Sequence, residues 1–122
     1  MKKHLILAIN PGSTSTKLAI YENEKLVSEF KISHDTNKIL SFKNIIDQYL
    51  FREQVILDYL KKENIDLNSF SAIVGRGGML KPIESGTYEV NQLMVNDMKE
   101  AKRGEHASNL GCILAKNLAD LY

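Results

Sequence analysis

Leu5 to Tyr21 reads LILAINPGSTSTKLAIY, and the fold turns on how this stretch divides. Leu5–Ile9 is an unbroken apolar run of strand length, the pattern of a strand buried on both faces. Pro11-Gly12-Ser13 ends it, because proline has no N–H for a ladder and glycine tolerates positive φ. Lys17–Tyr21 starts a returning strand, and Glu22-Asn23-Glu24-Lys25 turns it into a third, Leu26–Ile32. The bend carries the hydroxyls of Ser13, Thr14, Ser15 and Thr16, backbone N–H groups exposed by Gly12, and the cation of Lys17. Consecutive amides in such a turn form an anion-binding nest, and a lysine acts on phosphate as a point charge. Composition alone favours a Ser/Thr-rich hairpin loop instead. A Walker loop is excluded, since the G-x-x-x-x-G-K-[ST] spacing is absent and a strand follows rather than a helix.

Downstream the period changes from two to three or four. Ile39, Phe42, Ile45, Ile46, Tyr49, Leu50, Ile56, Leu57 and Leu60 predict a helix from about Ile39 to Asn64 that covers one face of the sheet. Ser41 is its candidate cap, and Lys61 and Lys62 suit its C-terminal end. Before it, Ser33–Lys38 is a polar connection. His34 and Asp35 there read as a solvated loop, because adjacent side chains seldom converge on one point. Phe70–Val74 is a fourth strand, and a crossover through a helix places it parallel to its partner. Ser85–Val90 reads as a short strand or extended arm. Asn91 caps a helix through Lys102, with Leu93, Met94, Val95 and Met98 as its buried side. Gly104 interrupts, and a last helix from roughly Ala107 has Leu110, Ile113, Leu114, Leu118 and Leu121 as its stripe. The order predicts an α/β domain: an antiparallel three-strand meander, a helix, a parallel strand and C-terminal helices.

A chain of 122 residues with 43% hydrophobic content is expected to form one domain with a real core. Sixteen basic against fifteen acidic residues leave a net charge of +1, so nothing argues for a nucleic-acid or membrane partner. The lone Cys112 forms no internal disulfide, the opening apolar run is too short for a signal peptide, and no stretch has the length of a membrane span. A cytoplasmic protein is the expectation.

Two further constellations carry chemistry. Gly75-Arg76-Gly77-Gly78 follows the fourth strand; glycines let backbone approach a ligand, and a guanidinium binds carboxylate or phosphate bidentately. A flexible turn whose arginine pairs with a surface acid is the plainer alternative. In Arg103-Gly104-Glu105-His106-Ala107-Ser108-Asn109-Leu110-Gly111, His106, Ser108 and Asn109 precede a helix, where free N–H groups favour an anion. Capping by Ser108 or Asn109, with His106 a polar loop residue, explains the same spacing.

The order of these residues adds a resemblance. Asn10-Pro11-Gly12-Ser13-Thr14-Ser15-Thr16-Lys17 resembles the first phosphate-binding hairpin of acetate and propionate kinases, and more closely that of butyrate and branched-chain-fatty-acid kinases. These belong to the superfamily of actin, the heat-shock ATPases and the sugar kinases. Many sugar kinases have Asp where this chain has Asn10, so the neutral amide points to the carboxylate-kinase branch. VGRGGMLKPIESGTYEVN, residues 74–91, is similar to the matching loop of butyrate kinases, although the His-Arg-Val-Val-His of acetate kinases is missing. His106-Ala107-Ser108-Asn109-Leu110-Gly111 resembles a loop that faces the phosphates in acetate kinases. The resemblance implies a ribonuclease-H-like (actin-like ATPase) α/β fold and a reversible ATP-dependent phosphorylation of butanoate to butanoyl phosphate. It assigns nucleotide phosphates to Asn10, Gly12, Ser13, Ser15, Lys17 and Asn109, and catalysis to Arg76 and His106. It further implies ATP/ADP and Mg²⁺ as cofactors, with no metal ligand inside these residues. A small carboxylate and its acyl phosphate are the expected partners, and the full-length protein is expected to be a homo-oligomer. Family members have two similar lobes and this chain resembles the first. Taken alone it is therefore expected to be an inactive N-terminal lobe, its metal-binding Asp and adenosine pocket lying beyond Tyr122. Two alternatives stand: an acetate or propionate kinase, and a non-catalytic actin-like nucleotide-binding module. A nuclease of the same topology is disfavoured, since the first strand lacks the acidic residue that a metal needs.

Overall fold

The computed structural model describes residues 3–77, 86–101, 104 and 106–121. Strands β1 (Leu5–Pro11), β2 (Ser15–Glu22) and β3 (Lys25–Ser33) form the expected meander, with β1 opposite β2 from Leu5↔Glu22 to Pro11↔Thr16. Asn23 makes the β2–β3 turn at φ 56°, which an Asn tolerates better than most residues. Strand β4 (Ala72–Gly75) lies parallel to β1, and the sheet order is β3-β2-β1-β4. Among the described residues four α-helices accompany it: α1 (Thr36–Leu40), α2 (Tyr49–Lys62), α3 (Gln92–Glu100) and α4 (Leu110–Leu121).

The core is one face of this sheet. Leu7, Ile9, Leu18 and Ile20 meet Ile56 and Leu60 of α2 and Leu110, Leu114 and Leu118 of α4, all buried. A second cluster of Val95, Met98, Cys112 and Ile113 fastens α3 to the outer side of α4. Helix α4 is therefore apolar almost all round, as a helix caught between two partners must be. Strand β1 is not buried on both faces as its composition predicts. Leu7, Ile9 and Pro11 are buried, while Ile6, Ala8 and Asn10 are half-buried, because α2 and α4 both lie on the same side.

The long helix from Ile39 breaks in two. Ser41, expected to start it, instead closes α1 by returning its hydroxyl to the Lys38 carbonyl. Asp47 then accepts from the Asn44 N–H and opens a 3₁₀ turn, Ile45–Gln48, that leads into α2. Asn91 does cap α3, its Oδ1 accepting from Met94 N at 2.9 Å. Helix α3 ends at Glu100 rather than Lys102, which lies outside the described residues, with Ala101 left-handed at φ 51°. Leu50, Leu93 and Leu121 point to solvent instead of the core. Gly86–Val90 forms no strand; Ser85, the start of that expected arm, lies outside the described residues.

His34 corrects a reading directly. It is buried, not solvated: the inward alternation of Phe30 and Ile32 carries one step past β3. Its Nε2 lies 2.8 Å from Thr16 Oγ1, and its ring stands edge-on to Phe51. Burial first, then the nearby Arg52 cation, push its pKa down to about 4. The free residue titrates near 6.5, so between these values the unfolded chain binds more protons than the folded one. Stability from neutral His34 is complete above pH 6.5 and drains away as the pH falls towards 4, by up to about 3 kcal/mol. Urea unfolding of the protein and of His34→Gln from pH 7 to pH 4 should show the variant losing less stability with acid. An equal loss in both would refute the buried neutral imidazole.

Candidate functional site

Three segments meet at the carboxyl edge of the parallel pair β1 and β4, where open α/β sheets place their ligands. The β1–β2 bend begins where β1 ends. Arg76 directly follows β4, and its N–H donates to Ile9 O at 3.0 Å, extending the ladder one residue further. The 3₁₀ turn Ala107–Asn109 packs against β1 and leads straight into α4. Two glycines make this last approach possible. A Cβ on Gly75 would lie 2.2 Å from the carbonyl oxygen of Gly111, and one on Gly111 would lie 2.3 Å from that of Arg76. Backbone meets backbone there, so only hydrogen fits.

The bend is held from beneath. Arg52, fully buried on α2, donates from one terminal nitrogen to Ser15 O (2.9 Å) and Thr16 Oγ1 (3.3 Å), and from the other to Ser13 O (3.3 Å). Gln48 Oε1 accepts from both Nε (3.0 Å) and the second terminal nitrogen (2.8 Å), fixing the plane of the guanidinium. Arg52 can only donate, so Thr16 accepts from it and has its hydroxyl proton free for His34 Nε2. Burial lowers the Arg52 pKa to about 10, which leaves it charged at neutral pH. Among the described residues no carboxylate pairs with it.

Asn10, Gly12, Ser13, Ser15, Lys17, Arg76, His106 and Asn109 all fall among the described residues. Asn10 and Lys17 are register partners and share the sheet face opposite the helices. Lys17 Nζ lies 3.5 Å from Glu29 Oε1 with both side chains about half exposed, an ion pair worth at most about 1 kcal/mol. The Gly12 N–H is not presented to a ligand; it donates to Ser15 O at 2.7 Å and closes the bend. Ser13 is exposed and Ser15 half-buried, and the N–H groups of Ser13 and Thr14 donate no hydrogen bond among the described residues. Arg76 is exposed, and its side chain forms no ion pair there. His106 is itself the cap of its turn. Its Nδ1 accepts from Ser108 N (3.1 Å) and lies 2.8 Å from Ser108 Oγ, so Nε2 is the nitrogen left for other partners. Asn109 is buried and its amide donates to Gly104 O at 3.0 Å, where glycine at φ 112° makes the loop. Gly78, residues 79–85, Arg103 and Glu105 of the motifs lie outside the described residues.

A depression of about 520 Å³ runs along the free edge of β4 between α4 and Gly86–Val90. It reaches Gly75 and Gly77, on either side of Arg76, but its lining includes neither the bend nor His106. Cys112 on its wall has its thiol pushed up to about 11, chiefly by burial, and is no nucleophile at neutral pH. Among the described residues no three His, Cys, Asp or Glu side chains come together as metal ligands, and no helix is long and apolar enough to cross a membrane.

Sequence pattern missed Arg52, Gln48 and His34. Gln48, Arg52, Ile56 and Leu60 stand four residues apart on one stripe and all four are buried. Two polar side chains in line with a core stripe were the available signal.

This site belongs to an α/β domain whose hydroxyl-bearing bend and neighbouring cations suit an anionic ligand. Comparison with known proteins narrows the class. No family model matches the chain. A probable butyrate kinase of Clostridium botulinum is 54% identical over 115 residues, which is 94% of this chain and 32% of that protein. Butyrate kinases 1 and 2 of Clostridium acetobutylicum are 54% and 48% identical over 93% and 98% of the chain. The chain is thus homologous over nearly its whole length to butyrate kinases, and it spans about a third of the length of these relatives.

Proposed function

We propose that the chain is the N-terminal, ribonuclease-H-like lobe of a butyrate-kinase-type enzyme, and that the full-length protein reversibly phosphorylates butanoate with ATP. The observation that carries this reading is the gathering of the bend, Arg76 and the turn at His106 on one edge of the sheet, in a chain about half identical to butyrate kinases.

In the reaction a carboxylate oxygen of the acid bonds to the γ-phosphorus while the bond to the β,γ-bridging oxygen breaks and ADP leaves. A carboxylate is already deprotonated, so no general base is required. What the transition state needs is position and positive charge. The amides and hydroxyls of Ser13, Thr14 and Ser15, with Lys17 and Asn10 beside them, suit the β- and γ-phosphates. Arg76 offers a planar fork to the carboxylate or the moving phosphoryl group, and His106 Nε2 a second donor. Asn109, whose amide donates to Gly104 O, supports the loop that carries His106 and stands beside it for the nucleotide phosphates. Mg²⁺ bound to the phosphates would neutralise their charge.

ADP formation by the full-length protein with acids of increasing length tests the reading. From acetate to butanoate, kcat/KM should rise about fourfold for each methylene the pocket buries. A maximum at acetate or propionate would favour the acetate-kinase alternative. No activity with any short carboxylate would overturn the kinase reading.

A further inference from the structure

We infer that Arg52 is a positioning residue and a concealed cation of the anion-binding bend, a role that rests on the bend taking nucleotide phosphates. The geometry is directional. Each peptide here is planar and trans, so a carbonyl aimed one way turns the following N–H the other way. Arg52 draws the carbonyls of Ser13 and Ser15 towards the core, and His34 N draws that of Thr14 at 2.8 Å. The Ser13 and Ser15 carbonyls are thereby tied to the guanidinium, and that of Thr14 to the end of β3. The N–H of Thr14, opposite the Ser13 carbonyl in its peptide, is turned away from Arg52 to the outer side.

Without the guanidinium the Ser13 carbonyl would lose its partner, Ser15 O would keep only the Gly12 N–H, and the Ser13–Thr14 peptide plane would be free to flip towards water. A flipped plane presents oxygen to a phosphate instead of N–H. The charge acts in the same sense. Arg52 sits behind the bend with no carboxylate partner among the described residues, so its field is available to an anion on the outer side. A residue kept only for packing would gain nothing from this arrangement, since a buried charge is costly and an apolar side chain of similar volume often serves stability as well.

The test compares binding of ADP and of adenosine to the full-length protein by isothermal titration. Arg52→Met should weaken ADP about 10- to 100-fold, the range for lost charge-assisted hydrogen bonds, and leave adenosine unchanged. Arg52→Lys, which keeps the charge but cannot span both carbonyls, should fall between. Gln48→Met, which frees the guanidinium plane, should shift ADP in the same direction by less, and it serves if Arg52 variants do not fold. A Ser13→Ala/Lys17→Ala double variant reports on the bend independently. Loss of ADP preference in that double variant, with none in the Arg52 and Gln48 variants, would overturn the positioning role and leave the bend reading intact. No loss in any variant would overturn the bend reading itself. Equal weakening of ADP and adenosine would mean that Arg52 serves structure alone.

Discussion

Arg76→Ala in the full-length protein is expected to lower kcat/KM for butanoate phosphorylation about 10²- to 10³-fold, with little change in unfolding temperature. The two parts of that expectation have separate causes. Arg76 is anchored by its backbone: its N–H is bonded to Ile9 O and its carbonyl lies against Gly111. Its side chain is exposed and forms no ion pair among the described residues, so truncation leaves no buried group unsatisfied. The guanidinium is therefore dispensable for folding and free for a ligand. If it grips the carboxylate or phosphoryl group, its loss removes charge where charge moves. Arg76→Lys should recover only part of the rate, because an ammonium cannot bind bidentately. Steady-state kinetics beside a thermal melt check both parts. Unchanged kinetics would remove Arg76 from the site.

Gly111→Ala should have the largest effect on stability, about 3 kcal/mol or more, at the upper end of overpacking costs. Most small-to-large changes are absorbed by the far end of a flexible side chain. Here the new methyl group would lie 2.3 Å from a backbone carbonyl oxygen, on a strand already bonded to β1. Either β4 or α4 must move, and α4 carries Leu110, Leu114 and Leu118 of the main core. The displacement would also carry Arg76 away from the end of β1, so activity should fall together with stability. Urea unfolding measures the first effect. A loss below about 1 kcal/mol would mean that the two segments pack less closely than described.

The meander was legible because local chemistry specifies it. Proline stops β1, Asn23 suits a left-handed turn, and Phe30 and Ile32 alternate inward. Parallel pairing of β4 followed from a helical crossover. The break at Ser41–Asn44 was harder to see, since apolar spacing continues across it and only the polar bonds of Ser41 and Asp47 divide the helix. Burial of His34 and Arg52 was hidden for a different reason. Charge and polarity favour solvent on average, and the contrary signal lay in position: His34 continues the alternation of β3, and Arg52 continues the stripe of Ile56 and Leu60. The Gly75–Gly111 contact had no local signature, because its cause is a helix arriving from a distant part of the chain.

The most direct test is a crystal structure of the full-length protein with Mg²⁺ and ADP or a non-hydrolysable ATP analogue. The terminal phosphate oxygens should lie within hydrogen-bond distance of the Thr14 N–H, on the side of the bend away from Arg52. Arg76 and His106 should face the same cleft. Phosphates seated elsewhere, with Ser13–Ser15 free of ligand, would contradict the assignment.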